Sequence, residues 1–410
     1  MNQTVCDELA NWVTRQGLIG RTESELMVGF CRRVAEAGMP LSQAMVIIDT
    51  LHPIYEGRAF RWRAAAPEAV EAIDYGRTNE GEAAENWRRS PFFHLLQSGE
   101  EAMRRRLAAG DPADFPTLLQ AREEGITDYL AMVHPFAPEG VIGAMDCVYS
   151  AWATDAADGF DDSGVVALTR LVPFLKLAIK SAALGRMAGT LAETYLGRDP
   201  GRQVMSGRIA RGVAEKIAAV LWFSDLHRYT HITDSAPPEQ IIPLLNDYAD
   251  VVVSAVHSQG GDVLKLIGDG TLAKFASADR KRDCLAALAA AVQVRIGAAK
   301  LNRSRAEAGL PTTEVYLALH VGDVFYGNVG SKDRLDFTVI GPAVNEASRI
   351  LAMSRSIEQN LLLSAAFADA LGGPMRHHLV SLGRYALRGV AQPQELFTLE
   401  PDLDLSQLVR

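Results

Sequence analysis

A run of mostly apolar residues, 263–267, ends in Gly268-Asp269-Gly270, and a second apolar run follows at once. Two such runs with a glycine-bracketed turn between them have one economical outcome, an antiparallel hairpin. The glycines let the backbone reverse tightly and leave room beside the lone carboxylate at the tip. Taken alone, Asp269 reads as an ordinary turn aspartate, a type favoured there because its side chain bonds to nearby backbone. Lys265 makes the hairpin less ordinary. It interrupts the first strand four residues before Asp269, and alternation puts Lys265, Ile267 and Asp269 on one side. The lysine is then either solvated on an open sheet face or a donor aimed into a pocket.

Asp225 closes another apolar run, "KIAAVLWFSDL". Two carboxylates delivered to strand ends are natural ligands for hard divalent cations, which prefer oxygen and share coordination with substrate phosphates. In "DFTVIGPAVNEASRI", Pro342 suits a helix start just after a strand. Asn345 and Arg349 are four apart and share a face of that helix. An amide beside a guanidinium suits an oxyanion that gains charge in a transition state. Arg388, in "YALRGVAQPQELFTL", adds a cation near a turn before the last strand.

These stretches fall in one region. From Val213 onward, strands alternate with helices, among them one with Ile241, Leu245, Tyr248, Val252 and Ala255 spaced 4, 3, 4, 3 and another over 281–303. The pattern predicts an α/β sandwich, one sheet with helices over a face. Residues 1 to 164 differ. "VTRQGLIGRTESELMVGFCRRVAEAGM" has helical spacing, and "DYLAMVHPFAPEGVIGAMDCVYSAWAT" reads as two strands around Pro138-Glu139-Gly140. That order predicts an α+β sensor module. Between them Leu168, Val172, Leu175, Ile179 and Ala182 form a heptad seam, which weakens through Met187, Leu191 and Tyr195 and stops at Gly197 and Pro200. The seam predicts a long helix that either packs on its own domain or pairs in a parallel dimer. The expected division is a sensor domain over 1–164, a dimerising helical linker over 165–212, a catalytic domain over 213–400 and a tail over 401–410.

With 410 residues the chain is too long for one ordinary core. Its net charge of −9 argues against nucleic-acid binding as its main task. The N-terminus lacks the basic and apolar segments of a signal peptide, and no uninterrupted apolar run approaches a membrane span, so a cytoplasmic location is expected. Four scattered cysteines, without a CxxC pair, read as reduced core thiols.

Five blocks in order, "VLWFSDLHRYT", "GGDVLKLIGDGTLAKF", "LALHVGDVFYGNVGS", "DFTVIGPAVNEASRI" and "LRGVAQPQELFTL", resemble the catalytic domain of class III nucleotidyl cyclases. The resemblance implies a ferredoxin-like βαβ sandwich and a role for each matching residue. Asp225 and Asp269 match the metal-binding aspartates, and Leu226 the residue whose backbone carbonyl joins them, with Mg²⁺ or Mn²⁺, two per site. Lys265 and Thr338 match the purine-reading pair of adenylate cyclases, in the bacterial subclass with threonine in place of aspartate. Asn345 matches the ribose-positioning asparagine, Arg349 the transition-state arginine and Arg388 a basic residue on the triphosphate. Phe223, two residues before Asp225, is counted with the substrate-binding positions. The implied reaction is ATP to 3′,5′-cyclic AMP and pyrophosphate in a homodimer, because the family builds each site from two domains. Guanylate cyclase activity and a catalytically weak nucleotide-binding regulator are the alternatives. Diguanylate cyclases place their Gly-Gly pair at the hairpin turn, whereas here Gly260 and Gly261 precede the strand. One departure stands out: Arg228 occupies a turn where the family often has glycine. The first domain resembles GAF or PAS sensors more weakly, and its small-molecule or cofactor effector is unknown. His52, His94 and His134 are candidates for a cofactor such as haem, but a lone histidine is more often structural.

Overall fold

In a computed structural model that describes residues 1–143, 145–390 and 392–400, the chain divides into two compact units, Met1–Leu191 and Ala192–Arg410. The expected tail, 401–410, lies outside the described residues.

The first unit opens with helices α1 (Gln3–Leu18) and α2 (Glu23–Glu36). The single helical pattern of the sequence is split at Gly20, which takes φ 78°, and at Thr22, whose side chain and that of Glu25 form a reciprocal cap. Strands β1 (Gln43–Asp49), β2 (Gly57–Arg63) and β3 (Val70–Tyr75) follow. Helices α3 (Gly81–Arg88) and α4 (Pro91–Ser98) precede β4 (Ala102–Arg105), and α5 (Pro116–Glu123) precedes β5 (Asp128–Pro135) and β6 (Cys147–Thr154). The six strands form one sheet in the order β3-β2-β1-β6-β5-β4. A helical turn at Pro138–Gly140 sits between the two strands read from sequence.

Helix α6 (Asp162–Leu196) is the long helix that the sequence predicts. Its heptad seam is not a free face, however. Leu168, Val172, Leu175 and Ile179 are fully buried in the unit's own core, with Phe30, Trp62 and Trp152. An apolar seam repeats identically whether its partner is a second helix or the chain's own sheet, and here the sheet has it. The exposed apolar residues of α6 are Val166, Phe174 and Leu177, on another face. Lys176, 3% exposed, lies on the buried side. Its ammonium donates to the carbonyls of Met132 and Val148 at 3.0 and 2.9 Å and meets His134 Nδ1 at 2.8 Å. Burial without a carboxylate partner lowers its pKa to about 7.

His134 is therefore occupied by Lys176. His52 accepts from the backbone N–H groups of Ile54 and Tyr55, and His94 leans on Phe115. The three histidines serve separate local roles.

The second unit begins with α7 (Arg198–Met205) and β7 (Ala214–Leu226), then α8 (Tyr229–Ser235) and α9 (Pro238–Ser258). The hairpin follows as β8 (Asp262–Ile267) and β9 (Gly270–Phe275), then α10 (Arg280–Glu307), β10 (Val315–Gly330) and β11 (Leu335–Ile340). Helix α11 (Pro342–Ile357), β12 (Leu361–Ser364), α12 (Ala365–Leu371), α13 (Gly373–His377), β13 (Leu379–Tyr385) and β14 (Gln394–Leu399) complete it. Seven strands run in the order β13-β14-β12-β10-β7-β9-β8, and β11 pairs with β10 off this path. The alternation of strands with α9, α10 and α11 makes a mixed α+β sandwich. One face is covered by α9 and α10 through a core that includes Trp222, Tyr248, Phe275 and Val292. On the other face Leu221, Leu264, Phe337 and Val339 pack with Ala343 and Ala347 of α11. Helix α10 is long and apolar enough to cross a membrane by length and composition, but half of that stretch is buried in this core. All four cysteines are buried and unpaired.

Candidate active site

Strand β7 is central because residues 219–222 are apolar and buried, with β10 on one side and β9 on the other. Its ladder to β10 runs without interruption from Ala214 to Leu226, which carries Asp225 to the end of the sheet opposite Tyr316. The hairpin register pairs Ile267 with Gly270, so Gly268 and Asp269 alone make the turn. Gly268 takes φ 63°, the glycine-first signature of a tight primed turn. A Cβ on Gly270 would lie 2.9 Å from the Ser224 carbonyl and 3.6 Å from Asp225 Oδ1. That missing side chain lets the tip of the hairpin close on the end of β7.

The two carboxylates meet as a result. Asp225, Leu226, Gly268 and Asp269 line one cavity of about 180 Å³. Burial first, and then the adjoining Asp269 carboxylate, push the pKa of Asp225 well above the usual carboxylate range. The Leu226 backbone N–H donates to Asp225 Oδ1 at 3.1 Å, and the Arg355 guanidinium stands 3.9 Å from Oδ2. Among the described residues, no group of three or more His, Cys, Asp or Glu gathers at one point. Two crowded carboxylates next to open space fit a divalent cation that also takes oxygens from substrate phosphates. They do not form a closed protein cage.

The other expected residues lie elsewhere. Lys265 Nζ pairs with Asp336 Oδ2 at 2.7 Å. Asp336 stands two residues before the buried Thr338 on β11, so both share one face of the strand. Leu264, Phe337 and Val339 fill the opposite side of these strands. Arg349 donates to the backbone carbonyl of Arg388 at 2.8 Å, which joins α11 to the loop before β14. Asn345 is exposed one turn earlier on α11. Phe223 is half-buried against the α11 side of the sheet. None of Lys265, Thr338, Asn345, Arg349, Arg388 and Phe223 lines the aspartate cavity.

Three residues were missed in the sequence. Asp336 has a signal, because it alternates with Thr338. Arg355 and Tyr316 have none, since only the register and the length of α11 bring them to Asp225. The structure also accounts for Arg228. This residue adopts φ 54°, a left-handed conformation that favours glycine. The turn keeps a glycine geometry with an arginine in it, at a cost of about 1–2 kcal/mol.

The model of the adenylate and guanylate cyclase catalytic domain matches residues 213–401. The chain is 35% identical over 167 residues to an adenylate cyclase of Anabaena cylindrica, covering 40% of this chain and 32% of the relative. It is 34% identical over 205 residues to an uncharacterized protein of Mycobacterium tuberculosis, covering 49% of this chain and 36% of that one. The chain thus spans about a third of the length of these curated relatives. Among solved structures, the adenylyl cyclase CyaB from P. aeruginosa overlays with a TM-score of 0.43 at 23% identity, covering 47% of this chain and 98% of that chain.

Proposed function

We propose, from the premise that residues 213–401 belong to the adenylate and guanylate cyclase catalytic-domain family, that the protein converts ATP to 3′,5′-cyclic AMP and pyrophosphate. The observation that carries this reading is the meeting of Asp225 and Asp269 in one cavity at the end of β7. Two Mg²⁺ or Mn²⁺ ions held by these carboxylates and the Leu226 carbonyl would supply Lewis-acid activation of the ribose 3′-hydroxyl and charge opposite the phosphates.

The remaining work belongs to side chains. Asn345 holds the ribose so that its 3′-hydroxyl faces the α-phosphorus in line. Arg349 donates to the oxygens that gain charge as the bond to pyrophosphate breaks. Arg388, tied to Arg349 through its own carbonyl, meets the triphosphate. Lys265 can only donate, which suits the acceptor N1 of adenine and not the N1–H of guanine. Thr338 accepts from the adenine amino group. The Asp336 carboxylate keeps the Lys265 ammonium in place, which favours ATP over GTP.

One copy does not complete the site. Arg355 is the part of α11 that reaches Asp225, and Asn345 lies ten residues, or about 15 Å of helix rise, before it. A symmetric homodimer resolves this, with the aspartates of one chain facing Lys265, Thr338, Asn345 and Arg349 of the other. We place the reaction in the cytoplasm, in a catalytic domain over 213–400 governed by a sensor over 1–164 through the helical stretch 165–212.

Pyrophosphate release from ATP with Mg²⁺ or Mn²⁺ tests the reading. Asp269→Ala is expected to abolish turnover while the fold persists, and retained turnover would refute the metal assignment. Mixing or coexpressing Asp269→Ala with Arg349→Ala chains should restore activity through one intact site of two. Confirmed heterodimers without activity would rule out the shared site.

A further inference from the structure

Strand register lays two rows of side chains across one face of the sheet in the first unit. One row reads Arg63, Gln43, Ala153, Tyr129 across β2, β1, β6 and β5. The next reads Arg61, Met45, Ala151, Ala131. Alanine at the β6 position of both rows sinks the face between its arginine side and its tyrosine side. Over this dip, Thr117 and Gln120 of α5 and the adjacent Glu124 roof a cavity of about 100 Å³.

Two observations mark the cavity as a place for a ligand. Tyr129 lines it at 5% exposure, and its buried hydroxyl has no hydrogen-bond partner among the described residues. A buried polar group left unmet is costly, and native structures seldom keep one without a use. At the other end Arg63 has no salt bridge among the described residues. Arg61 shares its charge with Glu71 at 3.5 Å. Glu124, the carboxylate of the lining, accepts from the side-chain amides of Gln43 and Gln120 at 3.1 and 2.8 Å and is also drawn to the charges of Arg63 and Arg61.

We propose that this cavity binds a small monocarboxylic acid, no larger than one ring, that carries a hydroxyl or oxo group at its far end. The carboxylate meets the Arg63 fork, the apolar body lies on Ala151 and Ala153, and the far oxygen accepts from Tyr129. Three inter-strand steps separate the Arg63 and Tyr129 backbones by about 14 Å. Arg63 is exposed and Tyr129 buried, so the carboxylate end lies at the mouth and the far end inside. The cavity of about 100 Å³ is smaller than the about 150 Å³ known to hold benzene, so the ring alone fills it and the carboxylate projects from its mouth to the exposed Arg63. The cavity lies wholly within the first unit, so binding there is measured apart from nucleotide turnover and stands or falls separately from it.

The experiment is calorimetric titration of the full chain with 4-hydroxybenzoate, with benzoate and 4-hydroxybenzamide as comparators. Saturable one-to-one binding of 4-hydroxybenzoate is expected, with benzoate about tenfold weaker for the lost hydrogen bond and the neutral amide not bound. Ala153→Leu, which fills the dip, should abolish binding. Arg63→Gln should weaken both acids by about tenfold or more. Tyr129→Phe should lower the affinity for 4-hydroxybenzoate to that for benzoate and leave benzoate unchanged, a pattern that loss of packing would not produce. Because Tyr129→Phe removes an unmet hydroxyl, its thermal midpoint should equal or exceed that of the parent chain, so failure to fold will not obscure the result. No saturable binding at millimolar 4-hydroxybenzoate, as for a cavity that holds only water, overturns the proposal. Binding that survives Ala153→Leu also overturns it.

Discussion

The two halves of the proposed active site are built differently. The aspartate half is finished within one chain: a central strand, a two-residue turn and a missing side chain at Gly270 bring two carboxylates to one cavity. The cationic half is spread along α11, β8, β11 and the loop before β14, where Asn345 and Arg388 stand exposed. A like-charged pair must be forced together by the backbone, because the charges alone would part. A set of donors can wait in the open for the anion to collect them. The cationic half is therefore the one that a partner chain can supply without prior order.

Arg349 is where the two halves should differ most. If the cationic half acts on developing charge, Arg349→Ala should lower kcat by on the order of 10²–10³ with little change in KM for ATP. Steady-state kinetics checks this, and a rise in KM alone would make Arg349 a ground-state binder. A smaller effect is expected at Asp336→Asn. The pair with Lys265 is more than a third exposed on both sides, so its loss should cost about 1 kcal/mol, or about fivefold in kcat/KM for ATP, with a lower ATP-to-GTP ratio. An unchanged ratio would leave Asp336 without a part in base choice. The smallest effect is expected on the aspartate side. Arg228→Gly relieves a left-handed arginine but loosens the unfolded chain, so a net gain of about 1 kcal/mol or less is expected in urea unfolding. A clear loss of stability would mean that the arginine side chain holds a contact worth more than the strain.

What could be read in advance follows the same division. The hairpin, the aspartates and the helix after Pro342 were legible because each depends on short-range rules: alternation, turn chemistry and helical spacing. The pairing of Lys265 with Asp336 joins residues 71 apart in sequence, through strands that meet only once the sheet is ordered. Nothing local announces it, although the alternation of Asp336 with Thr338 offered a hint. The seam of α6 left its partner open for another reason. Leu168, Val172, Leu175 and Ile179 have the spacing that a helical partner needs, and a sheet accepts the same stripe. Periodicity reports that a face is buried and is silent about what buries it.

Lys176 gives that buried stripe a mechanical character. An apolar helix face resting on a sheet is a sliding bearing, since one leucine position is nearly as comfortable as the next. An ammonium held by the carbonyls of Met132 and Val148 and by His134 has a single seat. Moving α6 by one residue would shift that seat by about 1.5 Å along the axis and turn it by about 100°, stranding a polar group among apolar ones. The lysine acts as a bolt through the bearing: it ties this stretch of the helix to strands β5 and β6 at one register.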